Sequence, residues 1–227
     1  MDVAKNILAI KSQIQEIEKQ YKRMPNGVRL LAVSKTQSQE LIREAYQAGQ
    51  TIFGENYLQE AVEKQVALAD LDIEWHFIGA IQSNKTKIIA EQFDWVHSID
   101  RFKIAKRLSE QRPTSLPPLN ICIEVNIDNE ATKSGVLPAA LLALVEEISA
   151  LPNLKLRGLM AIPAHHDQFS EQKRCFDQVA ALQQQLVQAG FELDTLSMGM
   201  SQDFEAAIAA GSTMVRLGTA IFGARRA

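Results

Sequence analysis

The 227-residue length allows one sizeable hydrophobic core, as one large α/β domain or two small ones. Hydrophobic residues make up 46% of the chain and charged residues 22%, which is ordinary for a globular protein. The formal net charge is −3, so the chain has no basic surplus with which to neutralise phosphates. The composition therefore argues against nucleic acid as the main partner.

The cysteine pattern and the N-terminus bear on where the protein works. Cys122 and Cys175 show neither a metal-binding spacing nor a Cys-x-x-Cys arrangement, which favours a reduced environment. Residues 1–6 carry no signal-peptide pattern, and no apolar run reaches the length of a membrane span. We therefore expect a cytoplasmic protein without a membrane partner.

Helical and extended patterns alternate along the chain. An amphipathic helix is predicted over 3–21, with apolar residues at helical spacing. Eight apolar stretches are then predicted as strands, at 28–34, 51–53, 74–78, 95–98, 119–125, 156–161, 195–197 and 214–217. Helices are predicted between them, at 39–48, 57–68, 85–91, 102–111, 138–151, 170–189 and 202–210.

This alternation predicts an α/β fold, a single (β/α)8 barrel with an extra N-terminal helix. A doubly wound open sheet is the main competitor, because periodicity alone does not show closure. No Gly-x-Gly-x-x-Gly sequence follows the first predicted strand, which weakens the dinucleotide-binding version of that fold. No linker or low-complexity segment is evident, so we expect residues 1–227 to form one domain.

The first predicted strand ends in the polar sequence Ser34-Lys35-Thr36. Desolvating an ammonium group at the mouth of an apolar barrel or sheet is costly, so the pKa of Lys35 is expected to fall. A lysine with a lowered pKa is a nucleophile that forms a Schiff base with a carbonyl. The alternative is a solvated lysine just past the end of a strand.

The sequences after two other predicted strands are typical of an anion-binding site. Gly199 and Ser201 follow the seventh predicted strand, with Ser201 at a predicted helix N-cap, while Gly218 and Thr219 follow the eighth. Barrels often bind phosphate between these two loops, and the glycines would allow a close backbone approach. Ordinary turn chemistry and N-capping are the alternative for each motif alone. Together the motifs favour an anion site.

A Schiff-base lysine beside a phosphate cradle suggests pyridoxal 5′-phosphate (PLP), which joins a carbonyl to a phosphate. Arg216 lies on the last predicted strand, which is next to the first in a closed barrel, and is predicted to point at the pyridine nitrogen. A charged guanidinium there would keep that nitrogen unprotonated and weaken the ring as an electron sink. The alternative is an arginine bound to a carboxylate such as Glu124.

Several segments together resemble one known family. They are LAVSKT at 31–36, FGENY at 53–57, WHFIG at 75–79, QSNK at 82–85, KSG at 133–135, RGLMA at 157–161, LSMGMS at 196–201, Asp203 with EAAI at 205–208, and VRLGTAIFG at 215–223. These segments resemble the YggS/PROSC family of pyridoxal phosphate homeostasis proteins, and its enterobacterial YggS type in particular. The similarity runs through nearly the whole chain.

The resemblance implies a barrel like the N-terminal domain of alanine racemase (PLP fold type III), with PLP covalently bound to Lys35. It places Asn56 on the ring side of the cofactor and Arg216 at the pyridine nitrogen. The positions that match the phosphate-binding residues are Ser201, Gly218 and Thr219. The chain departs from the family at its tail, which often carries extra basic residues and here reads Arg225-Arg226-Ala227.

The resemblance also implies a role in intracellular PLP (vitamin B6) homeostasis and amino-acid balance, without an established reaction. A racemase of this fold type needs a second acid/base from a separate domain, whereas about ten residues follow the eighth predicted strand. Within the barrel only Tyr57 and His76 are candidates, and His76 fits a core position equally well. We therefore expect a monomeric carrier, with apo PLP-dependent enzymes as recipients.

Two alternative functions stay open. The first is a weak PLP-dependent amino-acid racemase or lyase. The second is a Schiff-base aldolase that uses Lys35 on a sugar phosphate without a cofactor.

Two further polar sequences lie in predicted loops. Lys133 lies in the long loop after the fifth predicted strand and either meets PLP as it arrives or leaves, or is simply solvated. The sequence His165-His166-Asp167 resembles a metal site only superficially, because adjacent histidines rarely share a metal. We expect no metal site.

Overall fold

The computed structural model describes residues 2–130 and 132–223. Its strands are β1 Arg29–Val33, β2 Ile52–Glu55, β3 Glu74–Phe77, β4 Trp95–Ile99, β5 Leu119–Val125, β6 Leu154–Ala161, β7 Thr195–Ser197 and β8 Met214–Leu217. Its helices are α1 Val3–Gln20, α2 Gln39–Gln47, α3 Leu58–Ala67, α4 Thr86–Gln92, α5 Phe102–Gln111, α6 Pro138–Ser149, α7 Phe169–Gln188, α8 Phe204–Ala209 and α9 Thr219–Phe222. The tail Arg225-Arg226-Ala227, compared above with the family, lies outside the described residues.

The eight strands pair in parallel in chain order, and β8 pairs with β1 to close a barrel. The register of the closing pair sets Leu31 beside Arg216. The predicted (β/α)8 barrel is therefore confirmed, and the open doubly wound sheet is excluded because no strand is left at an edge. The predicted element boundaries mostly fall within two residues of the observed ones.

Helix α1 covers the seam at which the barrel closes. Its isoleucines are buried, and it contacts α2, α8 and α9, the helices on either side of β1 and β8. The Asp2 carboxylate accepts the Lys5 amide N–H at 2.8 Å and caps the helix start, and the Asn6 amide donates to the Ile221 carbonyl at 2.8 Å. The predicted N-terminal helix thus packs as an integral part of the fold. Among the described residues no helix is both long and apolar enough to cross a bilayer.

The barrel interior differs from the shell around it. Between strands and helices the core is apolar and continuous. Interiors of such barrels are usually filled by branched apolar side chains. Here a small separate cluster of Trp95, Cys122 and Met160 shares the interior with buried polar residues. The inner residues of β3, β4, β7 and β8 form hydrogen bonds with one another across the barrel.

Candidate functional site

A cavity of about 570 Å³ lies at the carboxyl ends of the strands. Its wall is formed by Val33, Lys35, Asn56, Ile78, Met160, Ile162, Pro163, His165, Met200, Ser201, Gln202, Asp203, Arg216, Gly218, Thr219 and Ala220. The wall includes all six residues predicted from the sequence to bind a cofactor: Lys35, Asn56, Ser201, Arg216, Gly218 and Thr219. The volume falls within the usual range of about 300–1,000 Å³ for small-molecule sites.

Lys35 and Asn56 reach the cavity from neighbouring strands. Strand β1 ends at Val33, so Lys35 lies two residues beyond it, in a turn, and shares the inward face with Val33. Asn56 directly follows β2. Its Oδ1 atom is buried and has no hydrogen-bond partner among residues 2–130 and 132–223. An unpaired buried acceptor is costly, which marks this amide as a group suited to a ligand.

The loop after β7 differs from the prediction in two respects. Helix α8 begins at Phe204 with Asp203 at the N-cap, so the prediction of Ser201 as N-cap is wrong. The Asp203 carboxylate accepts the Met200 amide N–H at 2.6 Å and folds the turn that leaves Ser201 on the cavity wall. Gly199 is not part of that wall. Its φ is +99°, and an added Cβ would lie 2.6 Å from Ala207 Cβ, so Gly199 serves helix packing instead of ligand approach.

The two predicted phosphate loops contain backbone donors that no described residue accepts from. The amide N–H groups of Ser201, Gln202, Thr219 and Ala220 have no protein acceptor within the described ranges. Gly218 is also on the wall, and a Cβ there would lie 3.0 Å from the Val33 carbonyl oxygen. Clustered backbone N–H groups form a concavity suited to an anion. This edge of the cavity can therefore bind an oxyanion.

Arg216 lies in the barrel wall with its guanidinium buried. It donates to the Ser197 carbonyl, to Ser197 Oγ at 2.9 Å and to the Ala161 carbonyl at 3.0 Å. These acceptors are carbonyl and hydroxyl oxygens, and no ion pair joins Arg216 to Glu124 among the described residues, so the alternative of a carboxylate-bound arginine is wrong. Burial lowers the pKa of Arg216 to about 10, partly opposed by the charges of Asp203 and Glu124, and the group stays cationic at neutral pH.

A chain of hydrogen bonds continues from Arg216 through the barrel interior. Ser197 Oγ lies 2.8 Å from His97 Nδ1, His97 Nε2 lies 2.8 Å from His76 Nδ1, and His76 Nε2 lies 2.5 Å from Glu74 Oε1. Ionised Glu74 only accepts, so neutral His76 donates to it from Nε2 and accepts at Nδ1, and the same reasoning assigns the protons of His97 and Ser197 in turn. Ser197 donates to His97, His97 to His76, and His76 to Glu74.

Burial keeps both histidines neutral, although the hydrogen bond to Glu74 and its charge oppose this at His76. Burial lowers the pKa of His76 to about 4 and that of His97 well below its ordinary value. The carboxyl of Glu74 would have a raised pKa from burial alone, but His76 and Arg29 hold it at about 2. His76 stacks on Trp95 with a centroid distance of 5.3 Å. His76 was considered as an acid/base candidate or as a core residue, and the structure shows it as a core residue.

The other acid/base candidate of the sequence also lies outside the cavity wall. Tyr57 is 52% exposed, occupies the N-cap of α3 and does not line the cavity.

Lys133 is held by Asp128 at 2.9 Å and Glu130 at 3.1 Å, and its Nζ lies 3.5 Å from the carbonyl of Ile162, a wall residue. Burial lowers the pKa of Lys133, but the two carboxylates outweigh it and raise the pKa overall. Lys133 is thus an ion-paired residue beside the cavity.

Sequence reasoning missed three groups at the site. Ser197 is buried against Arg216, and Asp203 lies on the wall, where burial raises the pKa of its carboxyl. His165, considered above only as a metal ligand, also lines the cavity, with its Nε2 3.1 Å from Asp167 Oδ1. Ser197 could have been predicted, because side chains alternate between the two faces of a strand and Ser197 directly precedes the loop assigned to an anion. No comparable signal marked His165.

Comparisons with known proteins show the family to which the chain belongs. The family model for the alanine racemase N-terminal domain matches residues 6–226. The pyridoxal phosphate homeostasis protein of Pseudomonas aeruginosa is 56% identical over 223 residues, covering 98% of this chain and 96% of that protein. The protein of the same name from Escherichia coli K12 is 50% identical over 227 residues, covering 99% and 97%.

A solved structure shows the same overall similarity. PipY of Synechococcus elongatus PCC7942, determined with PLP bound, superposes with a TM-score of 0.86 at 37% identity, covering 97% of this chain and 100% of PipY. Sequence and structure thus match over essentially full length in each case. The chain therefore belongs to the family of pyridoxal phosphate homeostasis proteins, whose fold is that of the alanine racemase N-terminal domain.

Proposed function

We propose that this protein binds PLP through a Schiff base on Lys35 and acts as an intracellular PLP carrier in vitamin B6 homeostasis and amino-acid balance. The observation that carries the proposal is the single cavity in which an amine, a buried arginine and two loops with unused backbone donors meet. The names of the relatives and the PLP-bound PipY structure support it. We further propose that residues 1–227 act as one PLP-binding domain, as a cytoplasmic monomer.

The residues on the cavity wall fit this cofactor. Ser201, Gly218 and Thr219, with the unused amide N–H groups beside them, would hold the phosphate. Arg216 would face the pyridine nitrogen, and Asn56, whose Oδ1 lacks a partner among the described residues, would lie at the ring. When bound, PLP supplies an aldehyde and an aromatic ring able to accept electrons.

Lys35 would hold the cofactor covalently, with its amine nitrogen in a C=N bond in place of the aldehyde C=O and with the loss of one water. The reaction is reversible, as release of a carried cofactor requires. The guanidinium of Arg216 is cationic at neutral pH and donates hydrogen bonds. It would therefore keep its proton and leave the pyridine nitrogen of the ring unprotonated. This arrangement weakens the ring as an electron sink and favours a carrier over a catalyst.

The test of binding is chemical trapping. The protein is incubated with PLP, reduced with borohydride, digested and mapped, and the pyridoxyl group is expected on Lys35. A pyridoxyl group found wholly on another residue would contradict the assignment. The visible absorbance of a Schiff base in the unreduced sample separates this proposal from a cofactor-free aldolase.

The test of carrying is transfer without turnover. We expect PLP to pass to an apo PLP-dependent enzyme, and we expect no steady conversion of alanine or serine. The contrary result would be exchange of solvent deuterium into the α-carbon of L-amino acids at the usual enzymatic rates of about 1–10³ s⁻¹. If that exchange were abolished in Lys35→Ala, it would overturn the carrier function.

One observation favours a second candidate, a weak PLP-dependent racemase or lyase. His165 lines the cavity, with its Nε2 3.1 Å from Asp167 Oδ1, and this imidazole is of the residue type that most often acts as a general acid or base. If this candidate holds, His165→Gln lowers α-proton exchange while the Schiff-base absorbance is unchanged. Exchange that is equal in His165→Gln and wild type would exclude a role for this imidazole.

A further inference from the structure

Three charged side chains form a cluster directly behind the turn that carries Lys35. Glu55 ends β2, while Glu60 and Lys64 lie on α3. Lys64 Nζ donates to the Ser34 carbonyl at 2.7 Å, to Glu55 Oε1 at 2.8 Å and to Glu60 Oε1 at 2.5 Å. These contacts match the three donors of an ammonium group. The side chains of Lys64 and Glu55 are 7% and 0% exposed, whereas that of Glu60 is 27% exposed, so the Lys64–Glu55 pair is shielded from water and Glu60 lies at its edge.

The cluster holds the residue before Lys35. Ser34 is fully buried, and its hydroxyl donates to Glu55 Oε1 at 2.6 Å. Its carbonyl accepts from Lys64, and its amide N–H continues the sheet by donating to the Gly54 carbonyl at 3.0 Å. The hydroxyl, carbonyl and amide of Ser34 are therefore all anchored.

The same cluster holds the residue after Lys35. The Thr36 amide N–H donates to Glu60 Oε1 at 2.5 Å. The Gln37 amide N–H donates to the Ser34 carbonyl at 3.0 Å, which makes Lys35 and Thr36 the central residues of a β-turn. Thr36 has a φ of +62°, a left-handed conformation that is unfavourable for a β-branched residue and persists only where neighbouring contacts enforce it.

We propose that Glu55, Glu60 and Lys64 are positioning residues for Lys35. They hold the backbone on both sides of it and enforce the strained turn that directs its side chain into the cavity. The inference rests on the proposed function, because it concerns the amine that forms the covalent link to PLP. Attack of the amine on the aldehyde, with formation of C=N and loss of one water, depends on the orientation of that amine.

Two features distinguish this role from general stabilisation. A buried charged cluster is a weak source of stability, because apolar residues of similar volume often serve as well. The Glu55 Oε2 atom is buried and has no hydrogen-bond partner in the described ranges, so part of the desolvation cost is uncompensated. The backbone contacts of the cluster are confined to the turn around Lys35 in the described structure.

The test separates attack by Lys35 from occupation of the cavity. Covalent link formation is followed by visible absorbance after mixing with PLP. Affinity for the cavity is measured separately with pyridoxine 5′-phosphate, which has an alcohol in place of the aldehyde and forms no link. Glu60→Leu is expected to slow link formation by about tenfold or more while the affinity for pyridoxine 5′-phosphate is unchanged. Lys64→Met is expected to behave in the same way.

Two variants serve as controls. Glu60→Gln keeps an oxygen acceptor for Thr36 and is expected to form the link nearly as fast as wild type. Glu63→Leu makes the same kind of change at an exposed position of α3 and is expected to match wild type in both measurements. Equal link formation in Glu60→Leu and wild type would overturn the inference, as would a parallel loss of both link formation and analogue affinity. Wild-type protein with no link at Lys35 would instead overturn the proposed function itself.

Discussion

The two ends of the barrel differ in whether their polar groups are paired within the protein. At the amino ends of the strands, Arg29 binds Glu74 at 2.8 Å and Arg157 binds Asp194 at 2.6 Å, with both guanidinium groups against the Trp95 ring. At the carboxyl ends, two loops present amide N–H groups with no acceptor in the described structure. Charged residues therefore occur at both ends, and the proposed site is distinguished by amide N–H groups that have no acceptor among the described residues.

A cavity alone does not mark the site either. The amino end also has a cavity, of about 480 Å³, whose wall includes Glu74, Asp94 and Arg112. The Asp94 carboxylate accepts the Trp75 amide N–H at 2.8 Å, and Arg112 donates to three backbone carbonyls. The Asp94 carboxylate and the Arg112 guanidinium are thus committed to the fold. We therefore expect substitutions at the carboxyl end to change PLP binding and those at the amino end to change stability.

The largest effect is expected at Lys35. Lys35→Ala removes the nucleophile, so the Schiff-base absorbance and borohydride trapping should be lost completely, while contacts to the phosphate leave residual PLP binding. Lys133→Ala is the control, since this lysine is ion-paired beside the cavity, and it should keep the link. Trapping that persists in Lys35→Ala at the wild-type level would refute the assignment.

The next effect concerns the hydroxyls of the phosphate loops. Ser201→Ala combined with Thr219→Ala should weaken PLP more than pyridoxal, because only PLP has the phosphate. Each hydrogen bond to a charged group contributes about 1.5–3 kcal/mol. Thr195→Ala removes a hydroxyl at the amino end, where it donates to Asp194 at 2.7 Å, and should leave both affinities unchanged. Equal weakening of PLP and pyridoxal would place the phosphate elsewhere.

The third effect is the contribution of His76 to the pH dependence of the free energy of unfolding. Its folded-state pKa of about 4 lies below the ordinary 6.5, so the unfolded chain binds the extra proton and stability falls as pH falls through this window. At about 1.4 kcal/mol per pH unit, wild type should lose about 2 kcal/mol more than His76→Gln between pH 7 and pH 5. Urea unfolding at both pH values measures the difference, which also includes changes at the neighbouring Glu74, His97 and Arg29. An identical loss in both proteins would contradict the neutral, buried histidine.

The smallest effect is expected at Arg29. Its ion pair with Glu74 is partly exposed, with side chains 38% and 34% accessible, so Arg29→Met should cost less than about 1 kcal/mol of unfolding free energy. PLP affinity should be unchanged. If Arg29→Met weakened PLP as much as the double hydroxyl variant does, the contrast between the two ends would be lost.

Much of the site could be predicted from the sequence because the barrel converts local patterns into a shared location. Alternating strands and helices place every strand end on one face. Lys35, Asn56, Ser201, Gly218 and Thr219 each follow a strand and therefore meet at that face. For these residues, local pattern and family resemblance were sufficient.

Other features depended on contacts between residues far apart in the chain. Ser197 and His97 are 100 residues apart, and only barrel closure brings their polar atoms to 2.8 Å. The Lys64 contacts to Ser34 and Glu55 likewise depend on how α3 packs over β1 and β2, which no local pattern encodes.

The sequence by itself determined the class of fold, the order of its elements and which strand ends carry reactive or hydroxyl side chains, because these follow from periodicity and local turn chemistry. The tertiary structure decided which polar groups are paired and which stay available. It assigned Arg216 to carbonyl and hydroxyl acceptors instead of Glu124, and Gly199 to helix packing instead of the cavity wall. Whether two groups form a hydrogen bond depends on differences of a few tenths of an ångström in the donor–acceptor distance. For groups on segments far apart in the chain, only packing sets that distance.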